Sequence, residues 1–194
     1  MNRFEAAPTD TKKRIIDAAI QTFVRYGTRK AAMSDIASAA RLSRQTIYDL
    51  FGSKEDLIRA CIRAVTDRNL AQVQARLPEH GTLAEQLDIY FAETVAKGFE
   101  LLQGAGDFED LIAGHNEAGK DQIARSHARH EELVAGLLAP YAESLRASGL
   151  SVGQQAHFIV TVAMGLKYNA KNREDLDALL GALKLSCLSM TGNR

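Results

Sequence analysis

The stretch SDIASAARLSRQTIYDLFGSK, residues 34–54, holds two short helical periodicities separated by a three-residue turn. Ser34 is placed to cap a helix carrying Ile36, Ala37 and Ala40 on its inner side. Ser43 is placed to cap a second helix carrying Thr46, Ile47, Leu50 and Phe51. Gly52 and Ser53 break that helix, and Ser53 with Asp56 resembles a capping box in which Asp replaces Glu or Gln. Two such helices make a rigid corner only if small residues pack where they cross, and Ala37, Ala39, Ala40 and Leu42 supply that packing. The second helix then projects from the body and fits the major groove of DNA, which admits one helix. Arg44 and Gln45 fall on its exposed first turn. There Arg chelates guanine and Gln chelates adenine, each pair contributing roughly 1–3 kcal/mol of discrimination. Ser34, Ser43, Thr46, Tyr48 and Lys54 suit phosphate contacts, because hydroxyls, an ammonium and helix N-termini attract an anion. Such contacts hold register and carry no sequence information.

Outward from this corner, the chain reads as helix nearly throughout. Its three prolines stand near segment ends, and no useful period-2 alternation interrupts the helical patterns. The expected fold is all-α with about nine helices. A disordered arm at 1–9 precedes a helix capped by Asp10, with Ile15, Ile16, Ala19, Ile20 and Phe23 on one face and a stop at Gly27. Residues 10–56 are read as a helix-turn-helix DNA-binding domain, and 57–194 as a helical domain for ligand binding and dimerisation. After the corner, a long helix through Leu57, Cys61, Val65 and Leu70 ends before Pro78, and further helices are expected at about 82–103, 107–114, 117–147, 152–171 and 174–191.

The net charge of +0 conceals an asymmetry. Residues 1–60 hold eleven Lys or Arg against seven Asp or Glu, so a basic N-terminal part precedes an acidic body. Cys61 and Cys187 lie within apolar helical patterns without metal-ligand spacing and read as reduced core thiols. No apolar run approaches the roughly 18 residues of a membrane span and no signal peptide is visible, so the chain is expected in the cytoplasm and away from membranes.

Residues 11–62 closely resemble the N-terminal domain of the TetR family of bacterial transcriptional regulators. The resemblance rests on Ile15 or Ile16 with Ala19 and Phe23, on Gly27, Ile36 and Ala37, on Ser43, Thr46, Ile47 and Tyr48, and on Phe51, Ser53, Lys54, Glu55 and Leu57. It covers about a quarter of the chain. Two positions depart from the family pattern. Arg41 stands in the turn where the family has Gly; at positive φ that costs of order 1 kcal/mol, which a phosphate contact by Arg41 would offset. Leu50 stands where Tyr or His commonly precedes the Phe and touches the DNA backbone.

The resemblance implies a homodimer formed chiefly by the last two long helices, a double-stranded pseudo-palindromic operator, and a small-molecule effector that releases a repressor. The stripes Phe158, Ile159, Val162, Gly165, Leu166 and Leu176, Leu179, Leu180, Leu183, Cys187 are consistent with that dimer face. An intramolecular core would satisfy the same stripes. Candidate ligand-pocket residues are Tyr90, Phe91, Glu93, Phe99, Phe108, His115, Asn116, His127, His130, Glu131 and Tyr141, a mixture suited to a moderately hydrophobic ligand with a few polar anchors. His127, His130 and Glu131 share helical spacing, but no further metal ligand accompanies them, and they read as a solvated helix face. No nucleophile with an adjacent base, phosphate-binding Gly loop or cofactor motif supports the competing reading as an enzyme. A protein-interaction module using the corner structurally is the other alternative, and the basic bias opposes it.

Overall fold

The computed structural model describes residues 8–78, 81–103 and 117–192, and all regular structure among them is helical. The elements are α1 (Pro8–Tyr26), α2 (Met33–Ala40), α3 (Arg44–Phe51), α4 (Lys54–Arg76), α5 (Leu83–Phe91), a π-helical turn (Ala92–Ala96), α6 (Lys97–Gln103), α7 (Glu117–Leu138), a 3-10 turn (Ala139–Tyr141), α8 (Ala142–Ala147), α9 (Val152–Asn169) and α10 (Arg173–Met190). Because α5 runs through the π turn into α6, and α7 through the 3-10 turn into α8, these make eight continuous helical stretches among the described residues. The expected helix at 107–114, the arm residues 1–7 with Arg3, and the pocket candidates Phe108, His115 and Asn116 lie outside the described residues.

The chain divides into two compact units, residues 8–65 with 101–103 and 117–123, and residues 66–100 with 124–192. The first is built on α1. Ile15, Ala19 and Phe23 recur every four residues and pack with Ile36, Ala37, Ile47, Leu57 and Cys61. Ile47 has no exposed surface, and burying a side chain of that size contributes roughly 1.5–3 kcal/mol. Gly27, at φ 79°, closes α1 with its N–H on the Phe23 carbonyl at 2.8 Å.

Three local expectations change here. Helix α1 begins at Pro8, so Asp10 lies within its first turn rather than at its cap; the ring of proline suits a first helical position, where its missing N–H costs nothing. Ser34 does not cap α2. The cap is Ala32, which has no side-chain acceptor; its N–H donates to Asp35 Oδ2 at 3.0 Å, and the Asp35 N–H returns to the Ala32 carbonyl at 3.0 Å. Ala39 is exposed, because Ile36, Ala37 and Ala40 already occupy the inner arc of this short helix.

In the second unit, Thr82 opens α5 with a full capping box: Thr82 Oγ1 accepts the Glu85 N–H at 3.3 Å, and Glu85 Oε2 accepts the Thr82 N–H at 2.8 Å. Ser151 with Gln154 does the same for α9, and Asn172 Oδ1 accepts the Asp175 N–H at 2.9 Å to open α10. The core joins Leu83, Leu87, Tyr90, Val95 and Phe99 to Val134 and Leu138 of α7, Ile159 and Val160 of α9, and Leu176, Leu180 and Leu183 of α10. Glu93, Thr94, Val95 and Ala96 are buried in succession. A regular α-helix points four successive side chains all round its axis; here they occupy the wider π turn, where one extra residue shifts the register.

Candidate nucleic-acid interface

Helix α2 ends as a Schellman-type turn. Arg41 takes φ 52° and ψ 47°, the single non-glycine in the left-handed region among the described residues, and the Leu42 N–H returns to the Ala37 carbonyl at 2.9 Å. That turn aims the chain into α3. Ser43 caps α3 as expected: its Oγ accepts the Thr46 N–H at 3.0 Å and lies 2.8 Å from Thr46 Oγ1. The N–H groups of Arg44 and Gln45, in the first turn of α3, have no carbonyl partner within the helix and carry its positive dipole end.

Helix α3 has one inward residue, Ile47, with Thr46, Leu50 and Phe51 half-buried beside it. Arg44, Gln45, Tyr48 and Asp49 are exposed, and positions i, i+1, i+4 and i+5 share one side of a helix. The two residues assigned base reading therefore lie on a single outward face with Tyr48. Arg44 makes no hydrogen bond or ion pair with another described residue. Gln45 does: its Nε2 donates to Asp49 Oδ1 at 2.7 Å. Sequence reading passed over Asp49, although the i, i+4 spacing of Gln and Asp is itself a signal for such a bond. Leu50 packs against the core of this unit, as an apolar residue at that position should.

The next helix start is tied in place. Ser53 Oγ accepts the Asp56 N–H at 3.0 Å and donates to Asp56 Oδ2 at 2.6 Å, while the Ser53 N–H turns to the Phe51 carbonyl at 2.9 Å. The box is thus half of the reciprocal pattern expected, because the Asp side chain, one methylene shorter than Glu, meets the hydroxyl instead of the backbone. Ser53 and then Arg59 hold the Asp56 carboxyl below its ordinary pKa. Half-buried Lys54 reaches back with Nζ to the Arg29 carbonyl at 3.3 Å, joining the loop after α1 to the start of α4. Exposed Ser34 and Arg41 complete the set.

The described pocket candidates differ in their surroundings. Tyr90 is fully buried, its hydroxyl 3.3 Å from His130 Nδ1 and its ring edge-on to that imidazole. His130 is therefore a core residue and not part of a solvated face; desolvation, reinforced by Lys167, His127 and Arg129, pushes its pKa down to about 4. Burial raises the Tyr90 phenol. Glu131 Oε1 lies 2.9 Å from His157 Nδ1, and His127 and Tyr141 are half-buried. Buried Glu93 is clamped by Lys97 and Arg76, which hold its carboxyl in the charged form, below its ordinary pKa. Phe99 belongs to the core. A groove of about 230 Å³ runs between α10 and the α5–π segment, floored by Phe91, Ala96 and Leu180 and flanked by Arg173 and Lys184; of the pocket candidates it takes in only Phe91.

The proposed dimer stripes separate in the same way. Leu176, Leu180 and Leu183 are buried within the chain, Val162, Gly165 and Leu166 are half-buried, and Phe158 and Leu179 remain exposed. Leu185, which neither stripe included, is exposed as well. Leu176, Leu180 and Leu183 are corrected to intramolecular core, because the i, i+4, i+7 ridge they form is buried with residues of α5, α7 and α9 in the chain's own core. Both cysteines are buried and neither is in a disulfide among the described residues, and desolvation raises the Cys187 thiol. No helix among the described residues is long and apolar enough to cross a membrane.

Comparison with known proteins agrees with this geometry. Residues 15–61 match the profile of bacterial regulatory proteins of the tetR family. Over 174 residues, covering 85% of this chain and 88% of the relative, the chain is 30% identical to the uncharacterised HTH-type transcriptional regulator YezE of Bacillus subtilis. It is 35% identical over 71 residues, 37% of this chain and 36% of the relative, to the HTH-type transcriptional repressor LfrR of Mycolicibacterium smegmatis. Among solved structures, the fatty acid degradation regulator FadR from Bacillus halodurans shares the fold with a TM-score of 0.68 at 22% identity, covering 99% of each chain. A helix-turn-helix whose second helix presents a polar, outward face, carried on a helical body of this kind, places the chain in the TetR family: it is a DNA-binding transcriptional regulator of the helix-turn-helix type.

Proposed function

We propose that the protein is a repressor that binds a pseudo-palindromic operator as a homodimer and is released by a moderately hydrophobic small-molecule effector held in its helical body. The observation that carries the DNA-reading part is the outward face of α3, where Arg44 and Gln45 stand on a first turn capped by Ser43. Arg44 and Gln45 read base edges; Ser34, Arg41, Ser43, Thr46, Tyr48 and Lys54 hold phosphates. Two such helices in a symmetric dimer meet half-sites about one helical turn apart, roughly 34–36 Å or a multiple. The effector acts only through unequal affinity for the DNA-bound and released arrangements.

Fluorescence anisotropy on duplex DNA from upstream of the protein's own coding region tests the reading, with salt titrated. Affinity is expected to fall steeply with salt, because neutralised phosphates release counterions. Arg44→Ala and Gln45→Ala should relax sequence preference, whereas Lys54→Ala should weaken binding to all sequences alike. Absent or salt-insensitive binding by the folded protein would overturn the DNA-binding assignment, and identical behaviour of the three variants would overturn the division of roles.

A further inference from the structure

We propose that Asp49 is a specificity-positioning residue that orients the Gln45 carboxamide for base reading; the inference rests on the assignment of Gln45 to base contact. A glutamine side chain has three rotatable bonds and, alone on an exposed helix face, samples many orientations. Here it does not stand alone. Gln45 Nε2 donates to Asp49 Oδ1 at 2.7 Å, one turn along the same outward face of α3. The direction of the amide follows from chemistry, since an ionised carboxylate only accepts and the amide nitrogen must face it. That bond uses one of the two Nε2 hydrogens. The other hydrogen and Oε1 remain, the donor and acceptor needed to chelate adenine N7 and N6.

The surroundings of Asp49 support a role beyond helix stability. Asp49 is exposed and has no ion-pair partner among the described residues. A carboxylate left on a face that meets polyanionic DNA lowers affinity for every sequence. Its single hydrogen bond goes to the side chain assigned to adenine, so what is lost in general affinity returns as discrimination: Gln45 is ordered before DNA arrives, and less conformational freedom is surrendered at the correct base.

The test is selection from a library of randomised duplexes about three helical turns long, with sequencing of the bound fraction, followed by affinities for the selected site and for single-base changes within it. Five proteins are compared: parent, Gln45→Ala, Asp49→Ala, Asp49→Asn and the double variant Gln45→Ala/Asp49→Ala. Both Asp49 variants remove the negative charge and should bind unrelated DNA more tightly. Only Asp49→Asn keeps an oxygen acceptor for Gln45 Nε2. Asp49→Ala is expected to lose roughly two- to tenfold in discrimination at the base read by Gln45, Asp49→Asn to retain most of it, and Asp49→Ala to change nothing further when combined with Gln45→Ala. If Gln45→Ala relaxes preference at a base and Asp49→Ala leaves that preference intact, the positioning role is overturned while base reading by Gln45 stands. If Asp49→Asn loses as much discrimination as Asp49→Ala, charge and not the hydrogen bond was acting, and the positioning role is likewise overturned. If Gln45→Ala itself leaves every preference unchanged, base reading fails and the positioning role fails with it.

Discussion

At the scale of single residues, Arg41 is the most instructive position. An L-residue at φ 52° crowds its Cβ against the backbone, and the Schellman-type turn between α2 and α3 demands that conformation whichever residue occupies it. Arg41→Gly removes the crowding, worth about 1 kcal/mol, and should raise the melting temperature by about 2–4 °C for a chain of this size. If Arg41 offsets its cost through a phosphate, the same variant loses about one unit of slope in log affinity against log salt concentration. Calorimetry and a salt titration measure the two effects separately. A variant that melts lower than the parent would show that Arg41 makes stabilising contacts in the free protein, and one with an unchanged salt slope would remove it from the phosphate set. The arginine was visible in the sequence, and so was its departure from the family's glycine. Its left-handed backbone was only conditional there, because φ depends on how the two flanking helices are held.

At the scale of elements, pairings between helices set properties that no single helix displays. Tyr90 of α5 and His130 of α7 meet in the core across 40 residues of sequence. Below its ordinary pKa of about 6.5 an exposed histidine takes a proton, but His130 in the folded chain resists it down to about pH 4. The unfolded chain therefore binds the proton first, so this contribution is complete above about pH 6.5 and is lost as pH falls toward 4. Between pH 7 and 5 the loss is about 2 kcal/mol. His130→Gln keeps a polar partner for Tyr90 and abolishes the titration, so urea unfolding at the two pH values should show a smaller acid loss in the variant. Equal losses in both proteins would refute the linkage. The π turn illustrates a different limit. Its residues AETVA suit an α-helix, yet the turn is π-helical, with Glu93 paired to Arg76 of α4 and Lys97 of α6 while Val95 fills the core. A 3.6-residue reading shows Lys97 four residues after Glu93 but carries no trace of Arg76.

At the scale of the molecule, burial divides the large apolar residues of α9 and α10 into two groups. Phe158 is 46% exposed, Leu179 38% and Leu185 66%, whereas Leu180 is 6% exposed. Exposed large apolar groups on the last two long helices are the surface on which the proposed homodimer relies. Leu185→Glu should shift the protein toward monomer in sedimentation analysis and weaken binding to a two-half-site duplex far more than to a single half-site. Leu180→Ala should instead destabilise the chain by about 2–5 kcal/mol and leave its association state unchanged, since it opens a cavity in the core. A Leu185→Glu protein that sediments as the parent does would place any dimer contact elsewhere.

Local chemistry was readable from residue order. Ser43 before an apolar periodicity, Gly27 after one, and Ile36, Ala37 and Ile47 at helical spacing specify the corner, because caps and periodicities act within a few residues and their strength depends little on distant contacts. What depended on distant residues was not readable. Ser34 lies inside α2 rather than at its cap, because the helix begins at Met33 with Asp35 holding the N–H of Ala32. His130 left the expected solvated face because Tyr90 was waiting for it, and Leu176, Leu180 and Leu183 joined the core while Phe158 and Leu179 did not. Periodicity tells which side of a helix is apolar. It does not tell whether that side meets its own chain or a second one, and it was the packing of α10 on α5 and α9 that put Leu176, Leu180 and Leu183 against their own chain.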